Sequence, residues 1–571
     1  MLSRSATAWG AHLLAAAASL ALTPHLHWAG QLGFYDSDYN QIVNFLHAER
    51  SVERSTANLA WWFFSDEPLF NVYHGLRYLV LGTEPRIHHL LHGAMVAANA
   101  LLAFSLVLRL SGRLLFSFLF LVLFLTFPGR GEAHYWPGAV YPLMLLALLG
   151  AAHWALSWGQ SGRRWTYAAC WACYSIAIFT HEAAFGFLGV FAALWWVRRL
   201  PLGGLAPLAV SNAAYLLARQ TQWLGFGDPG YFFMRPLQPG SFFRNLSDSV
   251  AMTMGGTFLE QASQLLQRGG REGSVWPALA GILAMLVAAA LPGGWRRYLA
   301  EGMLLFPALV ASAGFYFGGW RAPDWIVILP MGLAAAAFLA LAGVVEWRLA
   351  PQAADRELLR LAGFGAAWFF CAYSPTYLLY IANRHSYLPS VGGCLALAAA
   401  MAWPAACARD PRRRRLLEGV AVSLVAFLGA AFHTACVGEA ARWARAGQFT
   451  ASLQAQMRRL APRMAQDTRV VVLDVPDSLE GIPLLPAYAM QAALRHWYDN
   501  MQILAANQFV PDKTGFRLPA VQEIQHYQLL RLFTFSHQKL EPVGELVFED
   551  GERVRLGEGV PLAVTAGRER R

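Results

Sequence analysis

Apolar stretches of about 17 to 25 residues, each long enough to cross a hydrocarbon layer of roughly 30 Å, recur from the N-terminus to about residue 433. Lipid is the solvent that suits so many such runs. Within it backbone polar groups have no water to bond, so each crossing has to be a helix and irregular backbone is left to the connections. The expected fold class is mainly α, a polytopic transmembrane bundle of about 13 helices. Composition agrees. The 571 residues are 56% hydrophobic and only 14% charged, against roughly a quarter charged in an ordinary soluble domain. A soluble globular enzyme is excluded.

The formal net charge of +10 does not indicate a nucleic-acid partner. Arginines fall in short clusters between apolar runs, among them Arg109 and Arg113, Arg163 and Arg164, Arg198 and Arg199, Arg296 and Arg297, and Arg412 to Arg415. They mark every second connection as cytoplasmic. Arg4 ahead of the apolar run from Ala11 to Thr23 imitates a signal peptide, but no small-x-small cleavage site follows, so the run is read as an uncleaved first helix. The six cysteines lie in or beside apolar segments and suggest no disulfide framework. Cys170 and Cys173 form a CxxC without a second Cys or His pair nearby, and are read as helix-packing residues rather than a metal or redox site.

Helices are expected near 7–32, 86–109, 113–128, 137–157, 165–180, 183–198, 204–219, 275–293, 300–318, 325–346, 360–380, 388–407 and 415–435, with long outer loops over 33–85 and 220–274. An odd number of crossings puts the C-terminus outside. The chain divides into a membrane domain, 1–437, and an extracytoplasmic α/β domain, 438–571. The latter is expected to open with an amphipathic helix to about 464, followed by a strand over 468–475, a helix over 487–500 and a hairpin over 540–556 turning near Asp550-Gly551.

Chemistry-bearing residues gather at the outer ends of these helices. Asp36 and Asp38 follow the first helix; partial burial would raise their pKa and a cation would lower it, so they suit general-base work as well as a solvated turn. Asp66 and Glu67 stand later in the same loop, and His88, His89 and His92 enter the next helix at a spacing that allows a metal pair but is read as interfacial anchoring. A tight turn carries Glu132 and His134, and Glu182 is placed to cap the helix over 183–198. Before the helix over 388–407, Arg384, His385 and Tyr387 offer donors. A guanidinium fork there suits a phosphate, or anchors a loop.

The order of these blocks resembles the GT-C fold membrane glycosyltransferases, nearest the protein O-mannosyltransferase-like branch. The residues concerned are the acidic motif after the first helix, Gly82-Thr-Glu-Pro-Arg-Ile-His-His-Leu-Leu-His92, Pro128 to Trp136 with Glu132-Ala133, His181-Glu182-Ala183, and Arg384 to Ser390. The resemblance spans roughly 30 to 400 and leaves the C-terminal part uncovered. It implies that the catalytic carboxylate is Asp36 or Asp38, that Glu132 matches the acidic residue of the second outer connection, and that Arg384 and Tyr387 match the late block. The sequence departs from the pattern where the acidic pair is split by Ser37, where Glu67 replaces an arginine, and where Asn383 replaces an acid.

The resemblance further implies a polyprenyl-phosphate-linked sugar as donor and a glycan, lipid or protein acceptor, met at the outer face of a bacterial inner membrane. Asp36 or Asp38 would take the acceptor proton, Arg384 would meet the departing phosphate, and Glu132, His134, Glu182, His385 and Tyr387 would bind substrate. No cofactor is assigned; a divalent metal stays open, because Asp, Glu and His are present but no spacing demands an ion. The alternative is a transporter or lipid-linked sugar flippase, which would need ionisable groups at mid-membrane, where few occur.

Overall fold

The computed structural model describes residues 2–35, 37–46, 67–220, 353–375, 383–408 and 410–464, and in the C-terminal part 468–473, 475–476, 478–485, 487–500, 502–508, 529–536, 539–542, 545–547 and 553–555. The described residues are mostly helical. Four described helices are long and apolar enough to cross a membrane: Pro85–Ser111, Tyr141–Ser161, Arg384–Cys407 and Pro411–Leu460. Leu114–Thr126 and Trp9–Ala21 are shorter apolar helices. The helices expected at 275–293, 300–318 and 325–346, and the outer loop that begins after Gln220, lie outside the described residues.

In chain order the first half comprises α1 (Leu2–Ala21), α2 (Pro24–Trp28), α3 (Ser37–Leu46), α4 (Pro68–Leu81), α5 (Pro85–Ser111), α6 (Leu114–Thr126), α7 (Gly131–Tyr135), α8 (Tyr141–Ser161), α9 (Arg164–Thr180), α10 (Phe187–Arg198) and α11 (Ala206–Gln220). After the undescribed stretch come α12 (Ala353–Tyr373), α13 (Tyr387–Cys407) and α14 (Pro411–Leu460). Local signals set several of these limits. Pro85 and Pro142 stand in the first turns of α5 and α8, where a missing N–H costs nothing. Gly112 and Gly162 stop the same helices in the left-handed conformation, and their N–H groups return to Leu108 and Trp158. One large apolar core joins α1, α5, α6, α8, α9, α10, α12 and α13.

Three expectations need correction. The first helix does not run over 7–32: it ends at Ala21, and Thr23, extended at φ −89, lets Pro24 open a separate short helix. The segment 33–85 is not simply a loop, since it contains α3 and α4. The last apolar run and the amphipathic stretch after it are one unbroken helix of 50 residues, α14.

The C-terminal elements are β1 (Thr468–Leu473), β2 (Ser478–Leu479), β3 (Ile482–Pro483), α15 (Ala487–Tyr498), β4 (Leu504–Gln508), β5 (Leu529–Ser536), β6 (Lys539–Pro542), β7 (Glu545–Val547) and β8 (Arg553–Arg555). Their main sheet has the order β4-β1-β5-β6, parallel on both sides of β1 and antiparallel between β5 and β6. β7 and β8 form the antiparallel ladder expected around residue 550, with Glu545 opposite Arg555, while β6 belongs to the sheet instead. Asp550 and Gly551 lie outside the described residues.

Arg130 illustrates how the bundle handles a buried cation. It is 2% exposed. Its guanidinium donates to the Phe127 carbonyl at 3.0 Å, the Phe124 carbonyl at 2.5 Å and Ser390 Oγ at 3.3 Å, so it closes the end of α6 and ties that end to α13. Arg130→Met would strand these carbonyls in an apolar setting, at about 1–3 kcal/mol for each buried group left unsatisfied. Thermal unfolding in detergent is expected to show a lower midpoint than for wild type; an unchanged midpoint would mean that water replaces the guanidinium.

Candidate functional site

The site is built around the turn from α7 to Gly138. Three imidazoles on the first turns of α5 hold the segments beside it. His88 Nε2 donates to the Gly82 carbonyl, His89 Nε2 to the Gly33 carbonyl and His92 Nε2 to the Ala133 carbonyl, each at 2.8 Å. All three are buried, so the interfacial-anchor reading gives way to one in which they fasten loops. Because Gly33 O can only accept, His89 carries its proton on Nε2, and its Nδ1 accepts from His25 Nε2–H at 2.8 Å.

Asp38 lies in the first turn of α3 and is fully buried. One oxygen, Oδ2, accepts the Tyr35 N–H at 3.1 Å, while the Asp38 N–H returns to the Tyr35 carbonyl at 2.9 Å, a reciprocal cap that fixes the start of the helix. The other, Oδ1, stands 3.9 Å from Arg77 Nη2 on α4. Arg77 also donates to the Pro137 carbonyl and, at 2.7 Å, to the Tyr78 hydroxyl, and so couples the carboxylate to the turn. Burial, with a smaller contribution from Asp38, raises the Tyr35 phenol above its ordinary range and keeps it a neutral donor to the Trp443 carbonyl at 2.7 Å. Asp36 lies outside the described residues.

Across the turn, Arg384 Nη1 donates to Glu132 Oε2 at 2.7 Å, and the side chains are 25% and 21% exposed. This pair reaches solvent where Asp38 does not. Trp136 lies near both groups. The Arg384 guanidinium carbon lies 5.9 Å from its ring centre, and a Cβ added to Gly138 would come within 2.7 Å of Trp136 Nε1 and 2.9 Å of Asp38 Oδ1. Only glycine permits this close approach of the turn to Trp136 and Asp38. Trp136 Nε1 is buried without a hydrogen-bond partner among the described residues. At the other end of the turn, a Cβ on Gly131 would overlap the Glu439 carboxylate of α14, which brings a third carboxylate beside Glu132.

The remaining expected site residues divide into two groups. Tyr387 and His134 are buried beneath the turn: Asn99 Nδ2 donates to the Tyr387 hydroxyl at 3.1 Å, and the two rings meet edge-on at 5.4 Å. Burial, then the Arg130 charge, holds the His134 pKa well below the usual range, so that ring is neutral. Glu182 and His385 lie to the side: the Tyr141 ring is 5.9 Å from His385 and 5.4 Å from His181, and Glu182 Oε2 stands 3.7 Å from His181 Nδ1. The expected capping role of Glu182 belongs to His181 instead, because His181 Nδ1 accepts the Ala183 N–H at 3.0 Å.

Glu67, His181 and Glu182 each offer a ligand atom within 4.8 Å of the others. With Nδ1 occupied by the Ala183 N–H, the neutral ring carries its proton on Nε2, which faces Glu67 Oε1 at 3.4 Å. The arrangement is a carboxylate–imidazole pairing. A cation would have to displace that proton or break the Ala183 bond before the imidazole became a ligand.

Arg77, Trp136 and Glu439 are the site residues that sequence reasoning missed. Pro68 after an acidic residue and the apolar spacing through Leu81 signal a helix that would have carried Arg77 inward. Neither Glu439 nor the Trp136 N–H carries a local signal, because each is defined by what packs against it.

Acid should loosen this region. His74 on α4 is buried against Phe70, Tyr73 and Tyr78, and burial, then the Arg77 charge, lowers its pKa far below 6.5. The unfolded chain therefore binds a proton that the folded chain refuses. Stability from this group is complete above about pH 6.5 and falls as pH drops towards the folded value, by about 1.4 kcal/mol per unit of depression. Melting midpoints of wild type are expected to fall more steeply below pH 6.5 than those of His74→Phe; parallel curves would remove His74 as the cause. No known family model matches this sequence, and comparison with curated proteins finds no significant relative.

Proposed function

We propose that the chain is a membrane glycosyltransferase that moves a sugar from a polyprenyl-phosphate donor to an acceptor hydroxyl on a glycan, lipid or protein, at the extracytoplasmic face of a bacterial inner membrane. The proposal takes the bundle to have about 13 crossings and the C-terminal α/β domain to lie on the outer side. The observation that carries it is that opposite chemistries meet one turn, with the buried Asp38 carboxylate packed against Gly138 and Arg384, paired with Glu132, beside the Trp136 ring.

In this mechanism the contacts that bury Asp38 open to admit the acceptor, whose hydroxyl gives its proton to Asp38 Oδ1 as its oxygen bonds to the anomeric carbon. The bond from that carbon to the phosphate oxygen breaks on the opposite face, inverting the sugar, and the electron pair leaves with the lipid phosphate. Arg384, released from Glu132, takes up that charge with its fork. Glu132 is then free to accept from a sugar hydroxyl, and Trp136 offers an aromatic face and an N–H to the same ring. Asp36 remains the other candidate for the base.

The test uses full-length protein in nanodiscs with a synthetic polyprenyl-phosphate sugar. The expected result is acceptor-dependent release of polyprenyl phosphate, lost in Asp38→Asn or in Asp36→Asn. Release undiminished in both variants removes the proposed base. The rival reading is a lipid-linked sugar flippase; vesicles in which labelled sugar crosses the bilayer without any release would establish that reading instead.

A further inference from the structure

The helix that carries Asp38 is packed into the C-terminal region rather than resting on the membrane bundle. Tyr39, Ile42, Val43 and Phe45 of α3 are 0–5% exposed, and they share one apolar core with Met457 of α14, Val470 of β1 and Trp497 of α15. Tyr39, the residue next to Asp38, meets the Trp497 ring edge-on at 5.9 Å. α15 is itself fastened to α14, since Arg458 Nη2 donates to the Trp497 carbonyl at 2.8 Å. The sheet is fastened in the same way: the Leu540 N–H on β6 donates to Gln456 Oε1 at 2.8 Å. α14 runs without interruption past the Glu439 carboxylate and the Trp443 carbonyl that accepts from Tyr35.

A ten-residue helix at a loop end would fray by itself. Its register is supplied by apolar side chains belonging to a region more than 400 residues away in the chain. We infer that the C-terminal region acts as a clamp on the Asp38 helix, with Tyr39 and Trp497 as positioning residues that set where the carboxylate points. The structural half of this inference stands independently of the transfer reading, and its effect on rate rests on that reading. Misplacing a reacting group by about 1 Å costs on the order of 100-fold in rate, so a loosened clamp acts on the chemical step and leaves donor binding largely intact.

The experiment compares full-length wild type, Trp497→Ala and Trp497→Phe in nanodiscs. In Trp497→Ala, amide hydrogen exchange over residues 37–46 is expected to rise on the order of tenfold. Turnover should fall on the order of tenfold or more with KM for the polyprenyl-phosphate sugar within about twofold, and Trp497→Phe should recover both. Tyr39→Leu removes the same ring contact from the α3 side, should give the same exchange signature, and decides the matter if Trp497→Ala does not fold. Unchanged exchange over 37–46 in a folded variant overturns the clamp, as does faster exchange confined to the sheet and α15. A loosened α3 with turnover within about twofold of wild type overturns the positioning role. Should the wild type transfer no sugar while exchange behaves as expected, the transfer reading fails and the clamp stands.

Discussion

Asp38→Asn is expected to abolish sugar transfer, with turnover falling by about 100-fold to 10,000-fold, the usual contribution of a positioned general base. The substitution is nearly isosteric. Its carbonyl oxygen can still accept the Tyr35 N–H, so the start of α3 keeps its cap. What changes is the charge beside Gly138 and beside Arg77. Breaking a buried ion pair typically costs about 3–5 kcal/mol, and the 3.9 Å separation places this pair at the lower end. Activity must therefore be compared with the folded fraction, measured by size exclusion and thermal melting. A folded Asp38→Asn protein with wild-type turnover would exclude Asp38 as the base and leave only Asp36 from the original pair.

The second large effect is expected at Arg384. Arg384→Gln should lower turnover by roughly 100-fold to 1000-fold, because a preorganised donor aimed at a developing charge contributes about that much. Arg384→Lys should recover only part of the loss, since an ammonium cannot offer two parallel donors to a phosphate. The ground-state partner separates this role from a structural one. Arg384 and Glu132 form a pair that keeps 25% and 21% of its side-chain surface in solvent, and ion pairs that reach solvent stabilise a fold by about 1 kcal/mol or less after screening. Melting midpoints of Arg384→Gln and Glu132→Gln should thus stay close to wild type while turnover collapses in the former. A fall in stability that parallels the fall in turnover would identify the pair as a brace for the α7 turn.

Much of the architecture was legible because it follows from short-range rules. The limits of α5 come from Pro85 and Gly112, and those of α8 from Pro142 and Gly162, so periodicity and punctuation alone came within a few residues of both. The segment 33–85 was misjudged for a physical reason. Its polar and aromatic content reads as a loop at a membrane surface, yet α3 and α4 bury their apolar faces on protein: α3 on the C-terminal region, and α4 on α3 and α9. The same applies to His88, His89 and His92, whose spacing suggested surface anchors and whose rings in fact bond to three carbonyls from two loops and α7. Hydropathy reports the solvent a segment avoids and is silent on which neighbour replaces it.

By itself the sequence determined that the chain is helical and suited to lipid, where its helices turn, and which polar residues stand at their ends. Those properties depend on residues adjacent in the chain. Only the tertiary structure decided that Asp38 faces Arg77, that Arg384 bonds Glu132 across 252 positions, and that the Asp38 helix completes a core begun at the far end of the chain. Such pairings arise from close packing among distant segments, and packing has no signature in local composition.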